Sequence, residues 1–234
     1  MISTGQVYLV AAERRPPFVE DDAERPAMPE PPEGTRDWHN WVYGMGKRRA
    51  EAAVAQRRGL DATILRIPVV QGAKDPSRRL WSYLQRMLDG GPVLLPDGGD
   101  NRLRFVWTED VARFVARLAG GLRLPRLAVN LCSPDEPSLA ELLSMIGERA
   151  GLSPRFLAVS SADMEAAGIE SWASPYAGAW CSRPDPSFVR DHARFVCADT
   201  ATWLGPVVAA HLHEKEPADH EGYRFRELER RLVG

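Results

Sequence analysis

The nine residues "ATILRIPVV", at positions 62–70, constrain the fold more than any other stretch of the chain. Apart from Arg66 they form an apolar and β-branched run of strand length, the pattern of a strand buried on both faces. A helix is predicted immediately before it, with Asp37 placed to cap its start, an end near Arg58 and Gly59 as its stop. Helix followed by doubly buried strand is the building unit of an α/β layer. The signal returns downstream. "RLAVNL" reads as another buried strand, and "PSLAELLSMIGERAG" as a helix starting after Ser138. Ahead of both, "SRRLWSYLQRMLDGG" carries apolar residues at helical spacing and a double-glycine stop. "RLRFVWTEDVARFVARLAGG" reads as a short strand whose Thr108 caps a new helix, with Asp110 in its first turn near the positive end of the dipole.

Other segments are less regular. Residues 14–34, rich in proline and acid, predict a loop, because proline removes a backbone donor and disfavours helix in the residue before it. Beyond residue 151 the pattern weakens to short elements around "RFLAVS", residues 187–212 and a final amphipathic helix in "GYRFRELERRLV". The opening "MISTGQVYLV" alternates at Val7 and Leu9, which predicts a strand over residues 6–10 preceded by the hydroxyls of Ser3 and Thr4.

Composition narrows the function classes. At 234 residues the chain suits one domain with a subsidiary lobe. A net charge of -2 gives no field to gather polyanions, so nucleic acid is not an expected partner. There is no apolar stretch of bilayer length and no signal-peptide pattern at the start, so the expected location is cytoplasmic and no membrane partner is expected. Cys132, Cys181 and Cys197 lack the close spacing of a zinc site and read as ordinary thiols. His211, His213 and His220 in "HLHEKEPADH" are the one histidine cluster, but an H-x-H pair on a helix points its rings to different sides, so no metal site is expected.

The chemistry-bearing residues concentrate in "WVYGMGKRRAE". Tyr43 and Lys47 lie four apart on the predicted helix, so both side chains leave one face. An ammonium beside a phenol favours the phenolate and suits it to proton transfer. Taken alone, the spacing also fits an ordinary surface pair.

The surrounding sequence adds a resemblance. The hydroxyl stretch "STGQVYL", the Y-x-x-x-K some 40 residues later and "LRIPVVQG" beginning 18 residues after the lysine together resemble the extended short-chain dehydrogenase/reductases, also called NAD-dependent epimerase/dehydratases. "LLPDGGDNRLRFVWTEDVARFVA" and "AVNLCSPDEPSLAELL" resemble later segments of the same family, so the likeness covers most of residues 1–150. It implies Thr4, Tyr43 and Lys47 as catalytic residues: the tyrosine exchanges a proton with a substrate hydroxyl or carbonyl, the threonine polarises the same oxygen, and the lysine holds the nicotinamide ribose. Backbone at Pro68, Val69 and Val70 would lie beside the nicotinamide of NAD or NADP, as ligands gather at the carboxyl ends of α/β strands. Arg102 and Arg104 are candidates for a substrate phosphate, with solvated strand-end residues as the alternative. The substrate implied is a sugar nucleotide or a similar hydroxyl- or keto-bearing metabolite.

In that family a glycine-rich phosphate loop lies upstream of the hydroxyl stretch, and no G-x-G-x-x-G occurs in these 234 residues. The expected fold is therefore an incomplete Rossmann-like, doubly wound parallel sheet lacking its N-terminal cofactor-binding strands, with a smaller α+β substrate lobe. Residues 1–131 are expected to form the catalytic remnant, with part of the substrate lobe inserted around 73–102, and residues 132–234 the C-terminal lobe. The resemblance also makes residues 1–3 a strand end and the following residues an active-site loop, against the strand predicted by alternation. The sheet should expose an open edge or apolar face. That implies a fragment, a partner chain or homo-oligomer covering it, or a re-closed noncatalytic fold. The isolated chain is expected to be inactive and to bind dinucleotide weakly or not at all. The alternative function is a binding or regulatory remnant that pairs with a partner chain.

Overall fold

The computed structural model describes residues 1–214 and 219–233. In chain order the elements are β1 (Ile2–Thr4), α1 (Gln6–Leu9), α2 (Arg36–Ala55), β2 (Ile64–Ile67), β3 (Val69–Gln71), α3 (Arg79–Leu88), β4 (Val93–Pro96), β5 (Phe105–Trp107), α4 (Thr108–Ala119) and β6 (Ala128–Asn130). They continue with α5 (Leu139–Ala150), β7 (Phe156–Val159), α6 (Ser161–Ala166), α7 (Ser187–Ala193), α8 (Thr200–His213) and α9 (Arg226–Leu232). The chain divides into two compact units. The first comprises Met1–Val70, Arg104–Asp135 and Ala179–Ala198; the second comprises Gln71–Leu103, Glu136–Gly178 and Asp199–Gly234.

The first unit is built on a parallel sheet in the order β1-β2-β6, with Thr4 opposite Ile67 and Arg66 opposite Asn130. All four residues of β2 are buried, the charged Arg66 among its apolar neighbours included. Leu65 and Ile67 pack with Val106, Phe114, Val129 and Leu131 from β5, α4 and β6 and the segment after it, and with Val189 and Phe195 from α7 and the residues following it. Arg66 points to the other face, toward α2. Covering helices on both faces of a parallel sheet make this the Rossmann-like α/β layer expected from the sequence.

The strand predicted at residues 6–10 is not formed. Gln6–Leu9 make one helical turn, and Val7, Tyr8 and Leu9 are all buried, so no face alternates. These residues cluster with Phe18, whose ring stacks on Tyr8 at 5.1 Å. The cap of α2 also differs from expectation. Thr35 rather than Asp37 accepts the Trp38 N–H, Asp37 sits in the first turn, and the helix ends at Ala55. Thr108 is the first helical residue of α4 rather than its cap, whereas Ser138 and Glu141 form a reciprocal capping box on α5.

The second unit pairs β4 with β7 in parallel, Val93 opposite Phe156 through Pro96 opposite Val159. Its core gathers Leu94, Met164, Ile169 and Phe225. Buried charges cross-link it: Arg86 pairs with Glu229 at 2.6 Å, and Arg226 pairs with Glu229 at 3.0 Å and with Asp89 at 2.6 Å. No described helix is long and apolar enough to cross a membrane.

Candidate active site

Thr4 is the last residue of β1, at the carboxyl end of the sheet. The next residue donates its N–H to Ile67 O at 2.8 Å, which holds the exits of β1 and β2 side by side and brings Pro68–Val70 to the same end. Gly5 is required there by close approach, because a Cβ would meet the Ser182 Oγ at 2.0 Å. Thr4 Oγ1 accepts the Gln6 N–H at 3.3 Å, and the half-buried hydroxyl keeps its own proton to donate.

Helix α2 brings the other two residues. Tyr43 is 49% exposed and Lys47 half-buried, and the Lys47 ammonium lies 5.8 Å from the centre of the Tyr43 ring. The helix presses on the turn after Thr4 at Gly44, where an added Cβ would stand 2.9 Å from Gln6 O and 2.5 Å from Val10 Cγ1. Glycine at position 44 is thus what lets α2 approach the turn that follows Thr4.

A charged network beneath this surface escaped the sequence reading. Ser3 donates to Glu51, and Glu51 receives Arg66 in a bidentate pair with contacts of 2.6–3.1 Å. Arg66 also donates to Glu20 O at 2.7 Å and to the Tyr8 hydroxyl at 3.3 Å, and Tyr8 donates to Asn130 Oδ1 at 2.6 Å. Burial drives the Tyr8 phenol well above its ordinary range, more than the Arg66 charge can offset, so Tyr8 stays protonated. Burial works against the Arg66 charge, but the bonds to Glu51 and Tyr8 outweigh it and hold the guanidinium charged. The available signals were an arginine inside an otherwise apolar strand and a glutamate four residues after Lys47, since a buried charge demands a partner.

The two arginine candidates have different surroundings. Arg102, on the second unit, is half-exposed and pairs with Glu141 at 2.9 Å while donating to Glu136 O. Arg104, on the first unit, is buried and donates to Pro184 O at 2.8 Å. It lies beside Cys132, whose thiol burial pushes up to about 12. His211 is buried at the end of α8, His213 is exposed and His220 caps the turn at Glu221–Phe225.

A sequence profile described as the NAD dependent epimerase/dehydratase family matches residues 7–125, half of the chain. The chain belongs to this family. No curated protein matches it in sequence. Solved structures show the family's fold. A dTDP-glucose 4,6-dehydratase from Bacillus anthracis, in complex with NAD, superposes with a TM-score of 0.63 at 15% identity, covering 92% of this chain and 61% of that one. A UDP-glucuronic acid 4-epimerase from Bacillus cereus, also with NAD, gives 0.62 at 17% identity, with coverages of 91% and 61%. RMD from Pseudomonas aeruginosa, complexed with NADPH, gives 0.60 at 17% identity, with coverages of 91% and 65%. The epimerase/dehydratase chain thus spans under two thirds of the length of these structures.

The donor set fits the nicotinamide end of such a cofactor. A phenol and an ammonium on one helix face suit ribose hydroxyls, and the exits of β1 and β2 present backbone at the carboxyl end of the sheet. The pyrophosphate end has no glycine-rich turn among these residues.

Proposed function

We propose that this chain provides the proton-transfer half of an NAD(P)-dependent epimerase/dehydratase acting on a sugar nucleotide or a similar hydroxyl- or keto-bearing metabolite. The observation that supports the reading is the seating of α2 at Gly44, the residue next to Tyr43, against Gln6 in the turn that follows Thr4. Tyr43 is the acid/base: of the two phenols in the first unit, Tyr8 is sealed in the core while Tyr43 is open to a substrate. Thr4 donates its hydroxyl hydrogen to the same substrate oxygen and stabilises charge that develops on it. Lys47 holds the phenolate by charge and anchors the ribose. Backbone at Pro68, Val69 and Val70 borders the nicotinamide, which when bound supplies the hydride chemistry. Arg102 and Arg104 are the substrate-phosphate candidates.

Pyrophosphate binding is assigned to polypeptide outside these 234 residues, either upstream in the same protein or on a partner chain that covers the sheet edge at β1. The isolated chain should then bind NAD(P) weakly or not at all and show no turnover. Supplying a glycine-rich strand–turn–helix segment, fused ahead of Met1 or added in trans, should restore both. In that assembly Tyr43→Phe should cut turnover by about 10²–10⁴-fold with dinucleotide affinity nearly unchanged, whereas Lys47→Met should weaken both. Equal and mild losses in the two variants would overturn the assignment and favour a noncatalytic pairing module. Tight dinucleotide binding by the isolated chain would overturn the account of the pyrophosphate.

A further inference from the structure

The segment Ala179–Ala198 of the first unit carries Trp180 near its start, and this one residue reaches both sides of the candidate site. The Trp180 carbonyl oxygen accepts the side-chain Nε2–H of Gln6 at 2.9 Å. Gln6 is the residue whose backbone N–H bonds the Thr4 hydroxyl oxygen. The Trp180 indole Nε1–H donates to Asp37 Oδ1 at 2.6 Å, in the first turn of α2. The indole ring packs against the buried cluster of Val7, Tyr8, Leu9 and Phe18, and the Arg14 guanidinium lies 4.6 Å from its centre. Burial pulls Arg14 below its ordinary range and the Asp37 carboxylate opposes this, so Asp37 serves the indole and the guanidinium together.

These contacts matter because the two halves of α2 are held differently. From Gly44 on, the helix is tied to the turn after Thr4 and to β1, by the close approach at Gly44, by Arg48 Nε to Val7 O at 2.8 Å and by Ser3 to Glu51. Ahead of Gly44, the ring N–H groups of Trp38 and Trp41 bond Glu30 and Met28 O, both on the loop at residues 14–34. The bond from Trp180 to Asp37 ties this front half to the same residue that holds Gln6. Asp37 and Gly44 stand about 10 Å apart along the helix, with Tyr43 between them. A rod held at one end can swing, whereas one held at two separated points keeps its direction. The carboxylate acceptor makes the second hold a strong one.

We propose that Trp180 is a positioning residue for the proton transfer, a latch that sets the Thr4 hydroxyl through Gln6 and the Tyr43 phenol through Asp37. The inference rests on the reading of Tyr43 as the acid/base.

Three variants test it. Trp180→Phe keeps the carbonyl and an apolar ring but loses the indole N–H. Asp37→Ala removes the acceptor at an exposed position, and Asp37→Asn keeps an acceptor oxygen there. In NMR spectra of the full 234-residue chain, the Tyr43 ring signals should shift in Trp180→Phe and Asp37→Ala and stay near the parent in Asp37→Asn. The ring signals of Tyr176, in the second unit, should stay in place throughout. In the assembly supplied with a glycine-rich segment, Trp180→Phe and Asp37→Ala should each lower kcat about tenfold, with Asp37→Asn within about threefold of the parent. The double variant Trp180→Phe/Asp37→Ala should lose no more than either single one, because both remove the same bond. Losses that add in the double variant, or Tyr43 signals unmoved by Trp180→Phe, would overturn the latch. A parent assembly without turnover would overturn the reading of Tyr43 instead, and the ring signals of the isolated chain would still decide the latch.

Discussion

Each unit buries an arginine–glutamate centre, and the two centres solve the same problem differently. In the first unit Arg66 and Glu51 form a single closed pair, with Glu51 also receiving Ser3. In the second, Arg86 and Arg226 share Glu229, and Asp89 takes a further bond from Arg226 and a weaker contact from Arg230 at 3.2 Å. A closed pair has no second opposite charge to fall back on, so losing one member leaves the other charge buried without a counter-ion. A shared network redistributes its charge. The first arrangement fixes geometry, tying α2 and β2 beneath the residue that precedes Thr4; the second tolerates change.

The sharpest way to break this comparison is to remove one acid from each centre. Glu51→Gln leaves Arg66 buried without its counter-charge and should cost about 3–5 kcal/mol, read as a fall of about 10 °C in the thermal midpoint. Glu229→Gln should cost less, about 2–3 kcal/mol, because a second carboxylate, Asp89, stays paired with Arg226 in the same centre. Equal losses would erase the distinction between closed and shared centres. Gly44→Ala, which forces a methyl against Val10 and Gln6 O, should destabilise the first unit by about 1–3 kcal/mol and displace the Tyr43 face. Chemical denaturation measures the first effect and the Tyr43 ring signals in NMR report the second.

The mildest effect is in pH. His211 and His220, both in the second unit, are held below their ordinary range by burial. The unfolded chain therefore takes up protons before the folded one does. Their contribution is complete above about pH 6.5 and is lost as pH falls from there toward the depressed folded values. In the second unit Asp89 adds a further loss at lower pH: burial favours its acid form, but bonds from Arg226, Gly91 and Tyr223 prevail and hold it well below the usual carboxylate range. His211→Leu should flatten the slope between pH 6.5 and 5, followed by thermal melts at each pH. A slope unchanged by that substitution would remove His211 as its source.

The contrast also explains what could be read from the residues alone. β2 and α5 were legible because their signals are local: an apolar run around Arg66, and Ser138 ahead of a helical pattern. The Tyr43–Lys47 pair was legible because one helix carries both. Arg66 and Glu51 were not, since fifteen residues and two elements separate them and only the folded layer brings them together. The turn at Gln6–Leu9 was misread for a related reason. Val7 and Leu9 alternate with Tyr8 as polar against apolar, but Tyr8 is buried by stacking on Phe18, a contact no short window contains. Residues 179–198 lack strong periodicity, yet they return to the first unit and seat Ser182 against Gly5.

That return has a further consequence. The backbone passes from one unit to the other after Val70, Leu103, Asp135, Gly178 and Ala198, so neither unit is a contiguous stretch of polypeptide. A protease making one cut cannot release either unit whole, and a ribosome must deliver residue 198 before the sheet side can be completed. Folding of the first unit can be completed only once its last segment, Ala179–Ala198, has been made.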